Sequence, residues 1–246
     1  MTTLVIDIGN TSTSVGYYRA GEVDGVGRCP SRFAEEQEVL DLITVKPVEH
    51  VVIASVVPPV NERWMDTLRK AGLPDPLFVT HKVKLGVSVD YPSPERIGAD
   101  RLANAAAAAR CFGMPSVVCD FGTALTFDVL NAERGYVGGI ICPGLPLMFD
   151  YLAEKTALLP HVAPAKTDAV VGRNTEQAMQ IGALLGYRGM VREILTALRR
   201  DLAAPDLPVC CTGGYAGWIF EGWDVDAVID PQLTLKGLGI ISELNF

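Results

Sequence analysis

Basic charge is scarce in this chain. Its 246 residues carry 21 Lys and Arg against 29 Asp and Glu, a formal net charge of -8. Lys and Arg never run longer than two in a row, as at Arg199-Arg200. A phosphate backbone needs a basic face, so no nucleic-acid partner is expected. A small anion can still be held by backbone N–H groups, which net charge does not register. No apolar run approaches the roughly 18 uninterrupted residues of a membrane span, so none is expected. Met1-Thr-Thr leads straight into an apolar strand without a basic flank or cleavage site, so no signal peptide is expected. The six cysteines, at positions 29, 111, 119, 142, 210 and 211, lack any C-x-x-C spacing. They read as reduced core thiols of a cytoplasmic protein, not as a zinc or disulfide framework. Two nucleotide signatures are also missing. No Gly-Lys-Ser/Thr ends a glycine loop, and no G-x-G-x-x-G opens a helix after a strand. The first absence excludes a Walker loop and the second argues against a Rossmann site.

What is present is a repeat. Leu4-Val-Ile-Asp-Ile-Gly-Asn-Thr11 and Val117-Val-Cys-Asp-Phe-Gly-Thr123 align on their aspartates 113 residues apart, the second one residue tighter at its loop. Each is an apolar strand ending in Asp, then Gly, then Thr, with a second strand-like run behind it. A repeat at half the chain length predicts a duplicated domain, and two such tips facing each other form a phosphate clamp. Glycine lets the backbone approach a phosphate oxygen, the Thr hydroxyl and adjacent N–H groups donate to it, and the Asp can hold a cation. Either tip alone could be an ordinary Asx or hairpin turn; the pair is what makes the clamp the better reading.

The remaining pattern repeats in outline. Strands are expected at 3–8 and 12–19, with a hairpin turn at Arg19-Ala20-Gly21-Glu22. A helix follows from Glu35 to Thr44, a β-branched central strand from His50 to Val57, a helix from Pro58 through Ala71, and a strand over 77–80. Residues 81–97 are a connecting excursion. Ala99 to Arg110 has the strongest helix propensity of the chain and almost no large side chain, so another backbone can approach it closely. The second half has strands at 116–121, 124–130 and 136–142, a helix after Pro143-Gly144, a loop through Pro160 and Pro164, and a long helix from about 175 to 201. A strand at 208–212 enters Gly213-Gly214, and a short helix, a strand near 225–229 and a terminal helix complete the pattern. The division is placed at 1–115 and 116–246. His50, His81 and His161 are assigned surface or turn roles.

Gly98-Ala99-Asp100-Arg101 opens the Ala-rich helix. Asp in a first helical turn is favoured by the dipole, so capping accounts for it in part, but Arg beside it is not favoured there. An acid and a cation at one helix start suit a substrate with an anionic end and a hydroxyl to deprotonate. Thr212-Gly213-Gly214 is a further strand-to-helix glycine element, of a kind that lines nucleotides or simply packs helix on sheet.

These motifs together resemble the type III pantothenate kinases, of the acetate and sugar kinase/Hsp70/actin superfamily. The match includes Asp7-Ile-Gly-Asn-Thr11, Ser55-Val-Val-Pro58, Gly98-Ala-Asp-Arg101, Asp120-Phe-Gly-Thr123 and Gly138-Gly-Ile-Ile-Cys-Pro-Gly144. It continues through Gly172-Arg-Asn-Thr175, Thr212-Gly-Gly214 and Asp230-Pro-Gln-Leu-Thr-Leu-Lys-Gly237. The resemblance implies an α/β fold of duplicated ribonuclease-H-like (actin-like ATPase) domains with the active site in the cleft between them. It implies ATP-dependent phosphorylation of pantothenate to 4'-phosphopantothenate, the first step of coenzyme A synthesis, by a cytoplasmic homodimer. By similarity Asp7, Ile8, Gly9, Asn10, Thr11, Ser12, Thr13 and Ser14, with Thr123, hold ATP. Asp100 accepts the proton, and Tyr91, Gly98, Ala99, Asp100 and Arg101 hold pantothenate, with Thr175 reaching it from the second subunit. Asp120 holds a monovalent cation (K+ or NH4+), and Mg2+ accompanies ATP near Asp7. The chain departs from the family pattern at Ser14, where some members carry Lys, at Cys142, and at Phe149-Asp150-Tyr151. The alternatives are a kinase for another small hydroxy acid and a non-catalytic regulator of the same fold.

Overall fold

The computed structural model describes residues 1–32 and 35–246. Strands β1 (Thr3–Ile8), β2 (Ser12–Arg19) and β3 (Glu22–Pro30) form an antiparallel meander. On its other edge β1 pairs in parallel with β4 (His50–Ser55), and β4 with β5 (Leu77–Phe78), giving the order β3-β2-β1-β4-β5. The second half repeats this with β6 (Ser116–Phe121), β7 (Ala124–Asn131), β8 (Gly135–Pro143), β9 (Val209–Thr212) and β10 (Val228–Ile229), ordered β8-β7-β6-β9-β10. The senses repeat too: β6-β7 and β7-β8 are antiparallel, β6-β9 and β9-β10 parallel. Even the burial pattern is duplicated. In β1 and in β6 every residue is buried except one, and that one is Asp7 or Asp120.

Seven α-helices are present among the described residues: α1 (Glu36–Ile43), α2 (Pro58–Lys70), α3 (Ala99–Cys111), α4 (Leu145–Lys155), α5 (Thr175–Asp201), α6 (Ala216–Phe220) and α7 (Leu233–Asn245). Pro58 starts α2, where a missing N–H costs nothing. Asn174 caps α5, its Oδ1 accepting from the Gln177 N–H at 2.8 Å. Two strands are shorter than expected: only Leu77–Phe78 pairs in the 77–80 run, and only Val228–Ile229 in the 225–229 run.

The two-residue period of a strand sorts its side chains into layers. Leu4, Ile6 and Ile8 of β1 pack with Val39, Ile43, Trp64 and Leu68 of α1 and α2. Val5 faces the other way, into a core built with Leu102, Ala103 and Ala106 of α3 and Leu235, Leu238 and Ile241 of α7. The second sheet behaves alike. Val117, Cys119 and Phe121 pack on α5 and α6, whereas Val118 meets Ala105 and Ala108 of α3 and Leu233 and Ile240 of α7. The α3–α7 pair is therefore the middle of five layers, shared by both sheets. A cut at 115/116 separates the sheets, and α7 crosses that line to lie on the first one. The small face of α3 is thus occupied within the chain: a Cβ on Gly237 of α7 would strike the Ala103 backbone, its carbonyl carbon only 2.6 Å away. That face is not left free for a second subunit.

Candidate active site

Because Asp7 follows Val5 by two residues, and Asp120 follows Val118, both carboxylates leave their strands on the face that looks toward α3. Each strand then ends in its glycine turn, with the Gly9 N–H donating to the Ser12 carbonyl at 3.2 Å and the Gly122 N–H to the Ala124 carbonyl at 3.1 Å. The tips meet: the hydroxyls of Thr11 and Thr123 are 2.9 Å apart, joined by a hydrogen bond. Beneath them lies a cleft with a cavity of about 210 Å³, floored by Asp7, Asp100 and Asp120 and bounded by both tips and by Gly213-Gly214. Gly213 sits at φ +88°, and a Cβ there would lie 2.6 Å from Asp120 Oδ1, so this third turn is held against the second acid.

Three carboxylates around one cavity repel one another, and burial adds to the effect. Burial first, then the charges of Asp100 and Asp120, raise Asp7 well above the usual carboxylate range, with Arg28 opposing. Burial and the charges of Asp100 and Asp128 push Asp120 up to about 7, against the Asn104 amide and Arg28. Asp100 is raised by burial, opposed by the N–H and the charge of Arg101. The N–H of Arg101 donates to Asp100 Oδ1 at 2.8 Å, so the capping role does exist, while the same side chain also lines the cleft.

A buried polar network runs sideways from α3. Arg101 Nε donates to Asp128 Oδ1 at 2.6 Å, and Asp128 is fully buried. Burial pushes Asp128 up to about 6, against the pull of the Arg101 charge and hydrogen bond. The Asn104 amide donates to both Asp120 and Asp128 at 3.4 Å, and its own carbonyl accepts from Thr234 Oγ1 of α7 at 2.8 Å. Arg101 Nη2 is buried without a partner, and the guanidinium lies 5.8 Å from the Tyr136 ring centre. Tyr91 is tilted against Tyr136 at 6.4 Å and packs on Gly138. An unpaired guanidinium donor beside Tyr136 can take an anionic group.

Of the residues expected to hold ligands, Asp7, Gly9, Asn10, Thr11, Ser12, Ser14, Asp100, Asp120 and Thr123 line the cleft. Ile8 and Thr13 do not; Ile8 belongs to the α1–α2 core, and Thr13 is buried with its hydroxyl bonded to Ser31 at 2.9 Å. Strand alternation turns them away, so only their backbones remain for a phosphate. Gly98 and Ala99 form the start of α3, and a Cβ at Gly98 would touch the Asp100 carboxylate. Tyr91 and Arg101 are not among the residues lining the cleft; both lie against the Tyr136 ring. Thr175 is exposed at the start of α5 and is not among the residues lining it. None of the three histidines lines it either. Sequence reasoning missed Arg28, Asn104, Thr126, Asp128 and Thr234, whereas Thr212, marked in the Thr212-Gly213-Gly214 element, does line the cleft. The period-two spacing of Thr126 and Asp128 behind the second tip was the available signal for those two.

Two like-folded halves, each presenting an acid and a glycine turn to a shared cleft, make the fold seen in actin-like ATPases and sugar kinases. In keeping with that fold, the chain superposes on MreB5 of Spiroplasma citri bound to ADP with a TM-score of 0.51, at 12% identity, over 98% of this chain and 96% of that one. The particular family follows from sequence: a model of the type III pantothenate kinase family matches residues 3–197. The type III pantothenate kinase of Akkermansia muciniphila is 43% identical over 216 residues, covering 88% of this chain and 87% of its own. That of Methylacidiphilum infernorum is 37% identical over 242 residues, covering 98% and 88%. The chain belongs to the type III pantothenate kinase family.

Proposed function

We propose that this protein transfers the γ-phosphoryl group of ATP to pantothenate, giving 4'-phosphopantothenate and ADP, the first step of coenzyme A synthesis. The observation that carries this reading is a half-buried carboxylate, Asp100, lining the same cavity as two hydroxyl-bridged glycine tips. Phosphoryl transfer asks chiefly for positioning and charge neutralisation. The turn Gly9 to Ser14 and Thr123 hold the phosphates by N–H and hydroxyl donors. The pantothenate hydroxyl loses its proton to Asp100 as its oxygen bonds to phosphorus, and the bond to the bridging oxygen of ADP breaks. Burial keeps Asp100 basic enough for that task. Arg101, oriented by Asp128, offers its free Nη2 to the pantothenate carboxylate, with Tyr91 alongside.

Among the described residues no cluster of three metal-ligating side chains occurs. A divalent ion would be held by phosphate oxygens and water together with Asp7. That arrangement fits Mg2+, which supplies charge neutralisation when bound. Asp120, whose ionisation is opposed by its neighbours, suits a monovalent cation (K+ or NH4+) that relieves that repulsion. We assign the active unit as a homodimer in which Thr175 serves the partner's site, and the setting as the cytoplasm. In support of the latter, all six cysteines are free thiols.

The test is ADP release by the purified chain with pantothenate present and absent. Pantothenate-dependent release is expected, and Asp100→Asn should lower kcat by at least about 10²-fold. ADP release indifferent to pantothenate would overturn the assignment of substrate, and an Asp100→Asn enzyme with more than half its activity would overturn the base.

A further inference from the structure

We propose that Arg28 is the residue that neutralises the phosphates of the bound nucleotide. This deepens the ATP reading above and rests on it. Among the described residues lining the cleft, the charged side chains are three carboxylates, Asp7, Asp100 and Asp120, and one cation, Arg28. A polyphosphate entering beside three acids is repelled unless positive charge is fixed nearby, and backbone N–H groups carry only partial charge. Arg28 is placed for that role by strand register. It stands directly opposite Ser14 in the β2–β3 pairing, and its Nε donates to Ser14 Oγ at 3.1 Å. This bond anchors the guanidinium at the end of the first phosphate turn.

The other end of the side chain reaches the second half. Nη1 lies 4.0 Å from the point where a side chain on Gly214 would begin. The guanidinium thus spans from the hairpin of the first sheet to the glycine turn that follows β9. Its charge is felt by both strand-end acids, since it favours the ionised forms of Asp7 and of Asp120. A planar fork in that position can meet two phosphate oxygens at once, which an ammonium on a flexible stem cannot do.

The experiment is calorimetric titration of the full chain, wild type, Arg28→Met and Arg28→Lys, with ATP and separately with adenosine. Adenosine carries the base and sugar without the phosphates. Arg28→Met should weaken ATP about 10- to 100-fold, the range of a lost charge-assisted hydrogen bond, and leave adenosine unchanged. Arg28→Lys should fall between, because it keeps the charge and loses the fork. ATP affinity within about twofold of wild type in Arg28→Met, or equal losses for ATP and adenosine, would overturn the proposal; the latter marks a structural role. The two readings fail separately. Wild-type protein that binds ATP but releases no ADP with pantothenate sinks the proposed reaction, while unchanged Arg28→Met binding in an active kinase sinks only the role of Arg28.

Discussion

A carboxylate that must accept a proton works only when ionised, and that makes pH the most direct probe of Asp100. Burial holds its pKa above the ordinary value of a free Asp. The sign follows: as pH falls through the raised pKa the base is protonated and lost, so kcat/KM should climb with pH along an acidic limb. Its midpoint is expected above the roughly 3.9 of an unperturbed Asp. Because three acids share the cavity, the limb belongs to the cluster as a whole. A pH–rate profile flat from pH 4.5 to 8 would sink Asp100 as the titrating base. The same three acids were legible in the sequence, two because a strand-end Asp before glycine occurs twice and one because an Asp-Arg pair opens a helix. Arg28 was not. It lies in Glu22–Pro30, a strand with two glycines, a terminal proline and mostly exposed positions, so no alternation marks which face its side chains take. Its partner Ser14 is identified only once the hairpin is paired.

Among the elements, α3 and α7 decide whether the cleft has walls. They pack closely where Gly237 of α7 lies over the Ala103 backbone of α3. Gly237→Ala places a methyl group against that backbone, and no flexible side chain is there to yield. Overpacking of this kind costs about 1–3 kcal/mol. In a chain of this size each kcal/mol lowers Tm by roughly 2–4 °C, so a melt should show a clear drop. An unchanged Tm would mean the two helices are less tightly fixed than their geometry indicates. The sequence marked α3 as a helix able to admit a close neighbour, from its alanine content alone. It could not say which neighbour, because α7 lies more than 120 residues away and a small face fits a second subunit equally well. The brief edge strands β5 and β10 were over-extended for a related reason. An apolar residue beyond the pairing, such as Val79, reads as strand from sequence: its N–H still donates to the Ile53 carbonyl at 2.8 Å, while its side chain joins the layer under the sheet.

For the molecule as a whole, duplication was readable from one repeated strand and tip, and it proved to extend through five strands in each half. Subunit arrangement is a different matter, since nothing in one chain names its partner. On α4, Leu147, Tyr151 and Leu152 are exposed at 43%, 63% and 38%, and Leu185 on the adjoining α5 at 48%. Apolar side chains grouped this way favour an interface. The same α5 begins with Thr175, which does not line the cleft of its own chain, and a two-fold dimer presents both features twice. A shared site makes a quantitative prediction. Asp100→Asn and Thr175→Ala homodimers should each be strongly impaired. Unfolded and reassembled together at equal concentrations, about half of the dimers become mixed. In each mixed dimer one site collects both lesions, whereas the other joins an intact Asp100 to an intact Thr175 from the partner. Activity should then return to about a quarter of wild type when exchange is free. If Thr175 serves the site of its own chain, every site in the mixture keeps one lesion and mixing restores nothing. An assay before and after mixing therefore decides between a site built by one chain and a site built by two.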